Sequence, residues 1–312
     1  SWTDAVQATL MFFALILTPI LVVLKIGGPE TSIALVEQVN PENLQFFKGA
    51  TVLGTVSLLA WGLGYVGQPH ILARFMAADS VRTIKPARRI AMTWMILCLA
   101  GAMGIGFFGI AWFEANPARS AEVAGNPERV FIELSTLLFN PWVAGVLLSA
   151  ILAAVMSTLS SQLLVCSSAV SEDFYKGFLR PNAGHKEMVW VGRLSVLAVA
   201  ILAIWLAADP DSRVLGLVSY AWAGFGAAFG PVVALSLFWK GTTRNGALAG
   251  MIVGALVVIG WKQLDTGLYE MVPGVALATL AIVLVSRFGS APSPAMLGQF
   301  DAVHAELRRS ED

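Results

Sequence analysis

The sequence predicts an all-α polytopic membrane protein with about eight transmembrane helices. Of its 312 residues 57% are hydrophobic and only 13% charged, about half the charged share of a soluble domain. Several apolar runs reach the roughly 20 residues a helix needs to cross a bilayer. The net charge is zero, which gives nucleic-acid binding no electrostatic support. Cys98 and Cys166 lie inside apolar runs, and His70, His185 and His304 are scattered. Neither a disulfide framework nor a metal cluster is expected from them. No residue set resembles a nucleophile with its base and acid, so an enzyme is not expected.

The chain opens on Ser1, with no initiator Met and no signal peptide, and reads as an internal fragment of a longer protein. The first span covers 5–24, with Pro19 inside it. The second begins near Ala50 and runs into Trp61-Gly-Leu-Gly-Tyr65-Val-Gly-Gln-Pro69-His70. Glycine costs a helix interior about 1 kcal/mol and proline about 3 kcal/mol, so the helix should break there. Freed backbone groups are tolerated inside a bilayer only where protein or a water-filled cavity satisfies them, and transporters build substrate sites on such breaks. Trp61, Tyr65 and Pro69, spaced by four, would line one side of that cavity. A helix that simply ends or kinks is the alternative. The glycines also spell G-x-G-x-x-G, but no strand precedes them and no βαβ unit surrounds them, so a dinucleotide site is not expected.

The third span is 90–113 and the fourth 141–170. The fourth contains Ala154-Val-Met-Ser157-Thr158-Leu-Ser160-Ser161-Gln162, four hydroxyls in five residues. Hydroxyl and carbonyl oxygens are the ligands of a hard cation. The Ala154 carbonyl and the Ser157 and Thr158 hydroxyls can converge on one helix edge. Membrane serines also bond back to their own helix, and this alternative stays open. The fifth span is 188–207, with Arg193 near one end, placed for snorkelling or for an ion pair. The sixth, 214–239, carries Tyr220, Trp222, Gly224, Gly226, Gly230 and Pro231 and suits a hinge or a tight packing face. The seventh, 246–261, repeats small residues at Gly246, Gly250 and Gly254, a close-packing pattern. The eighth is 274–288, and the polar tail from Gly289 should be surface-bound or loose. The loops at 27–49 and 114–140 are long enough for short surface helices acting as lids.

Charge orients the chain. Thirteen Lys and Arg follow spans two, four, six and eight, among them Arg82, Lys85, Arg88, Arg89 and the tail's Arg308 and Arg309; six lie on the opposite side, which also holds Glu114, Glu122, Glu128 and Glu133. By the positive-inside rule the first set and the C-terminus are cytoplasmic.

Three runs carry a resemblance: Trp61-Gly-Leu-Gly-Tyr-Val-Gly-Gln-Pro-His-Ile-Leu-Ala-Arg-Phe-Met-Ala, Leu148-Ser-Ala-Ile-Leu-Ala-Ala-Val-Met-Ser-Thr-Leu-Ser, and Asn245-Gly-Ala-Leu-Ala-Gly-Met. They resemble the sodium:solute symporter family, most closely its bacterial sodium/proline symporters. The resemblance runs from Ser1 into the tail. It implies the second half of an inverted-repeat, leucine-transporter-type core plus peripheral helices. Residues 1–289 would form an N-terminally truncated transporter domain, with the second repeat at about 50–239 and a cytoplasmic tail at 290–312. Span one would close the first repeat, whose first four core helices would be absent.

The implied function is sodium-coupled uptake of L-proline across a bacterial inner membrane, with sodium as the coupling ion. The partners would be proline, sodium and membrane lipid, with no nucleic acid and no obligate protein partner. Trp61, Tyr65 and Pro69 would bind substrate. Ala154, Ser157 and Thr158 would ligate sodium, its remaining ligands coming from the missing helices. A symporter of the same family for a carboxylate or vitamin, and a transporter-like sensor, are the alternatives; the tail after Arg287 is too short for a signalling domain. Gly241, where a basic residue is expected, and Ser161, where Cys is, depart from the family pattern.

Overall fold

A computed structural model of the chain describes residues 2–45, 47–208 and 213–311. Ser1 and the side chains of Glu122 and Arg309, counted above, lie outside the described residues. The described chain is helical: α1 (Trp2–Ile26), α2 (Pro29–Val39), α3 (Val52–Ala60), a 3₁₀ segment (Trp61–Gly67), α4 (Pro69–Met76), α5 (Val81–Ala115), α6 (Ser120–Gly125), α7 (Val130–Leu138), α8 (Pro141–Ser168) continuing as π-helix (Ala169–Leu179), α9 (His185–Ala207), α10 (Val214–Phe238), α11 (Arg244–Lys262), α12 (Met271–Phe288) and α13 (Pro294–Glu311). Among the described residues seven helices are long and apolar enough to cross a membrane, whereas Val52–Gly67, the expected second span, is shorter.

The chain divides into two compact units, residues up to 48 with 85–204, and residues 49–84 with 205–312. In the first unit, Val22, Ile105, Phe113, Leu134 and Leu138 form one buried cluster, and Ala14, Leu147 and Ala150 another. Pro19 cannot donate to the Leu15 carbonyl, and Gly101 of α5 packs against that carbonyl, where a side chain would collide. α7 comes from the loop expected to hold surface lids. Its Leu134, Ser135 and Leu138 are buried, because its apolar side belongs to the first unit's core, and Lys25 donates to its Leu138 carbonyl.

The second unit is built on glycines. Gly246, Gly250 and Gly254 are buried on α11. A Cβ at the first would strike Ser286, at the second Ile282 and at the third the Ala227 carbonyl, so α11 approaches both α12 and α10 at backbone distance. α12 starts at buried Glu270, whose carboxylate lies 3.9 Å from Lys262 Nζ; a negative charge is favoured at that helix end. The tail expected to be surface-bound or loose is helical. α13 is fastened by a 2.6 Å Lys240–Asp301 ion pair and by His304 against the Leu237 carbonyl at 3.0 Å.

Candidate functional site

α3 is capped by Thr51, whose Oγ1 accepts from the Gly54 N–H at 3.0 Å. After nine residues its geometry tightens to 3₁₀ at Trp61, and the segment ends with Gln68 in extended backbone before Pro69 opens α4. The cause is local. A residue before proline is pushed out of the α region, and proline brings no N–H to continue the ladder. A true break therefore stands where the sequence puts it.

The glycines of the break do different work. A Cβ on Gly64 would run into the Trp222 indole and lie 2.8 Å from the Met271 methyl; one on Gly67 would lie 2.8 Å from the Gly230 nitrogen and 2.9 Å from the Gly226 Cα. These two let the broken segment lie directly on α10. Gly62 has nothing within 4 Å and serves no close approach. The glycine run Gly226–Gly230 of α10 is the other half of the contact. α10 itself stays helical through Pro231, with Gly226, Gly230 and Pro231 buried, the arrangement of a packing face.

The Trp61 carbonyl at the start of the break accepts from Trp222 Nε1 at 3.0 Å. Gln68, 3% exposed, donates through Nε2 to the Trp222 carbonyl at 3.3 Å. The rings follow the same plan. Trp61 stacks nearly parallel to Trp222, centroids 5.6 Å apart, and to Tyr269, centroids 6.2 Å apart. Tyr65 meets Trp222 at right angles at 4.9 Å. Tyr65 remains 47% exposed, so it offers a more open ring than half-buried Trp61. Pro69 is half-buried at the start of α4.

The sequence alone does not mark Trp222, Gln68 and Tyr269 as site residues. Trp222 carried a signal, its place in the aromatic–glycine run of α10. Tyr269 carried none, since it sits alone in the α11–α12 connection. Its hydroxyl donates to the Ser219 carbonyl at 2.8 Å, and burial pushes its phenol above the ordinary range.

The three oxygens expected to hold a cation lie on α8, in the first unit. Ser157 Oγ donates to the Ala154 carbonyl at 3.2 Å, so these two oxygens share one helix edge. Thr158, one residue on, is exposed. The neighbouring hydroxyls bond back to the helix: Ser160 to Met156 O at 2.7 Å and Ser161 to Thr158 O at 2.8 Å. Hydroxyl and carbonyl oxygens are the ligand type of a hard cation, and of the three expected here the structure places the Ala154 and Ser157 oxygens side by side. Arg193, in the same unit, lies 5.6 Å from the Trp190 ring centroid, a cation–π contact within its own helix. The described residues include no group of three or more His, Cys, Asp or Glu that could hold a metal.

Comparison with known proteins adds a second line. The sodium:solute symporter family model matches residues 1–254. The sodium/proline symporter of Escherichia coli (strain K12) is 64% identical over 301 residues, covering 96% of this chain and 60% of the relative. That of Haemophilus influenzae is 60% identical over 321 residues, covering 100% and 64%. The high-affinity proline transporter of Bacillus subtilis is 54% identical over 303 residues, covering 96% and 63%. The chain thus spans about three-fifths of the length of these relatives. A match over residues 1–254 of 312, joined to the broken segment and the hydroxyl-rich helix, means that the chain belongs to the sodium:solute symporter family.

Proposed function

We propose that this chain forms part of a sodium-coupled importer of L-proline in a bacterial inner membrane, a transporter and not an enzyme. The observation that carries the reading is the 64% identity to a protein named as a sodium/proline symporter. The geometry of the break supports it. Proline has a carboxylate, a secondary ammonium and a compact apolar ring without donors or acceptors. A site for it needs backbone dipoles for the charged part and a rigid apolar wall for the ring. The interrupted helix at 61–68 supplies the first, and the braced Trp61 and the open Tyr65 the second, with Pro69 closing the turn. A ring facing the ammonium adds a cation–π attraction of about 0.5–2 kcal/mol, and Tyr65 is the ring with room for it.

Sodium is cargo in this scheme. The Ala154 carbonyl, Ser157 hydroxyl and Thr158 hydroxyl contribute part of its oxygen shell. Residues 50–239 act as the second repeat of an inverted-repeat core within a transporter domain at 1–289. The C-terminus and the tail at 290–312 lie on the cytoplasmic side, where the basic loops collect. Lipid is the surrounding solvent, and no obligate protein partner is required.

The test is uptake of labelled proline by a complete transporter containing these residues, with sodium present or replaced by choline. Trp61→Ala should raise the apparent proline constant at least about tenfold, because about 1.4 kcal/mol already gives that factor and losing a packed indole costs more. Tyr65→Phe should change it little if the ring is the contact. Uptake indifferent to sodium, or an unaltered constant in Trp61→Ala at normal membrane levels, would overturn the assignment.

A further inference from the structure

We propose that Tyr269 is a positioning residue for the substrate wall, supplied by the connection between α11 and α12, outside the broken helix itself. The inference rests on the reading of Trp61 as part of the proline pocket. Three contacts made by this one residue point to it. Its ring stacks on Trp61 with 14° between the planes. Its hydroxyl is anchored on the Ser219 carbonyl of α10 at 2.8 Å. Its backbone N–H donates to Ser57 Oγ of α3 at 3.0 Å. The next residue but one along, Met271, is fully buried and sets its methyl group into the notch between Gly64 and Gly226. The connection is therefore pinned to the helix before the break, to the break and to α10.

The physical consequence falls on Trp61. An indole that is not packed in place has two torsions to lose when a ligand binds. Trp222 supports this ring from α10 and ties down the Trp61 carbonyl, but the hydrogen bond fixes only the backbone. Tyr269 is the second parallel ring, and it comes from a segment fastened at three points. Ordering the indole before the ligand arrives removes that cost from binding. The peripheral helix pair thus contributes to affinity without touching substrate.

The measurement is sodium-dependent proline uptake by the complete transporter carrying Tyr269→Leu, Tyr269→Phe, Trp61→Ala and Trp61→Ala with Tyr269→Leu, each normalised to its amount in the membrane. Tyr269→Leu should raise the apparent proline constant about three- to tenfold, the range of an aromatic pair interaction, while the maximal rate changes less than about twofold. Tyr269→Phe keeps the stack and should stay within about twofold of the parent. The double variant should be no worse than Trp61→Ala alone, because the stack is already gone. A Tyr269→Leu constant equal to the parent's, with only rate or abundance reduced, would make Tyr269 a purely structural strap and overturn the inference. Equal defects in Phe and Leu would assign the effect to the Ser219 hydrogen bond and overturn it too. If Trp61→Ala leaves the constant unchanged, the pocket reading fails and this inference with it. A shift in Trp61→Ala without one in Tyr269→Leu rejects the inference alone.

Discussion

Single residues of one type have different partners here, and this decides what their removal should do. Ser161 already donates to the Thr158 carbonyl at 2.8 Å, so its oxygen is turned to its own helix. Ser157 makes a longer contact, 3.2 Å, to the Ala154 carbonyl, and Thr158 is exposed. In the complete transporter, Ser157→Ala or Thr158→Ala should raise the half-saturating sodium concentration by about tenfold or more. On the proposed assignment each removes an oxygen from a charged ligand, and bonds to charged groups are worth about 1.5–3 kcal/mol. Ser161→Ala should stay within about twofold. Sodium titrations in which all three respond alike would reduce the hydroxyls to helix packing.

At the scale of elements, glycine position separates packing from mere permissiveness. On α11, Gly250 faces the Ile282 side chain, with the Ala278 carbonyl 3.3 Å from a notional Cβ, while Gly260 on the same helix has nothing within 4 Å. Gly250→Val must therefore push α12 away. It should cost about 1–3 kcal/mol, the usual penalty of overpacking, seen as a lower midpoint of thermal unfolding in detergent. Gly260→Ala should be neutral or stabilise by up to about 1 kcal/mol, since it only removes the helix cost of glycine. Equal midpoints for the two variants would mean that the α11–α12 face is not tightly packed. The sequence pattern at Gly246, Gly250 and Gly254 disclosed this face. It did not disclose that Gly254 meets α10 while the other two meet α12.

For the whole molecule, the charge distribution makes a directional statement. On the proposed orientation, read from the excess of Lys and Arg after alternate spans, a reporter fused after residue 312 should be active only on the cytoplasmic side. Reporter activity on the outer side would reverse the topology. The 312 residues alone, reconstituted in vesicles, should show no sodium-driven proline accumulation. They span 60% of the Escherichia coli relative, and an alternating-access core is built from two repeats around its site. Accumulation by the 312 residues alone would refute the two-repeat reading.

The sequence by itself determined whatever depends on neighbours along the chain. Apolar run length set the long helices, and Gly and Pro set the break at 61–69, where the structure has it. Three long motifs set the family. Their physics is local: backbone propensity, proline geometry and transfer of continuous apolar surface into lipid. Only the tertiary structure decided which residues brace the break. Trp222 Nε1 reaches the Trp61 carbonyl across 161 residues, and Tyr269 reaches Ser57 across 212. No periodicity encodes such partners, because they depend on how closely α10, α11 and α12 approach, and that is fixed by small residues meeting face to face. The same holds for α7, whose short apolar helix read as a surface cover and is buried with Leu134 in the first unit's core. A loop's composition says that a helix can form there; only the packed neighbours say which side of it sees solvent.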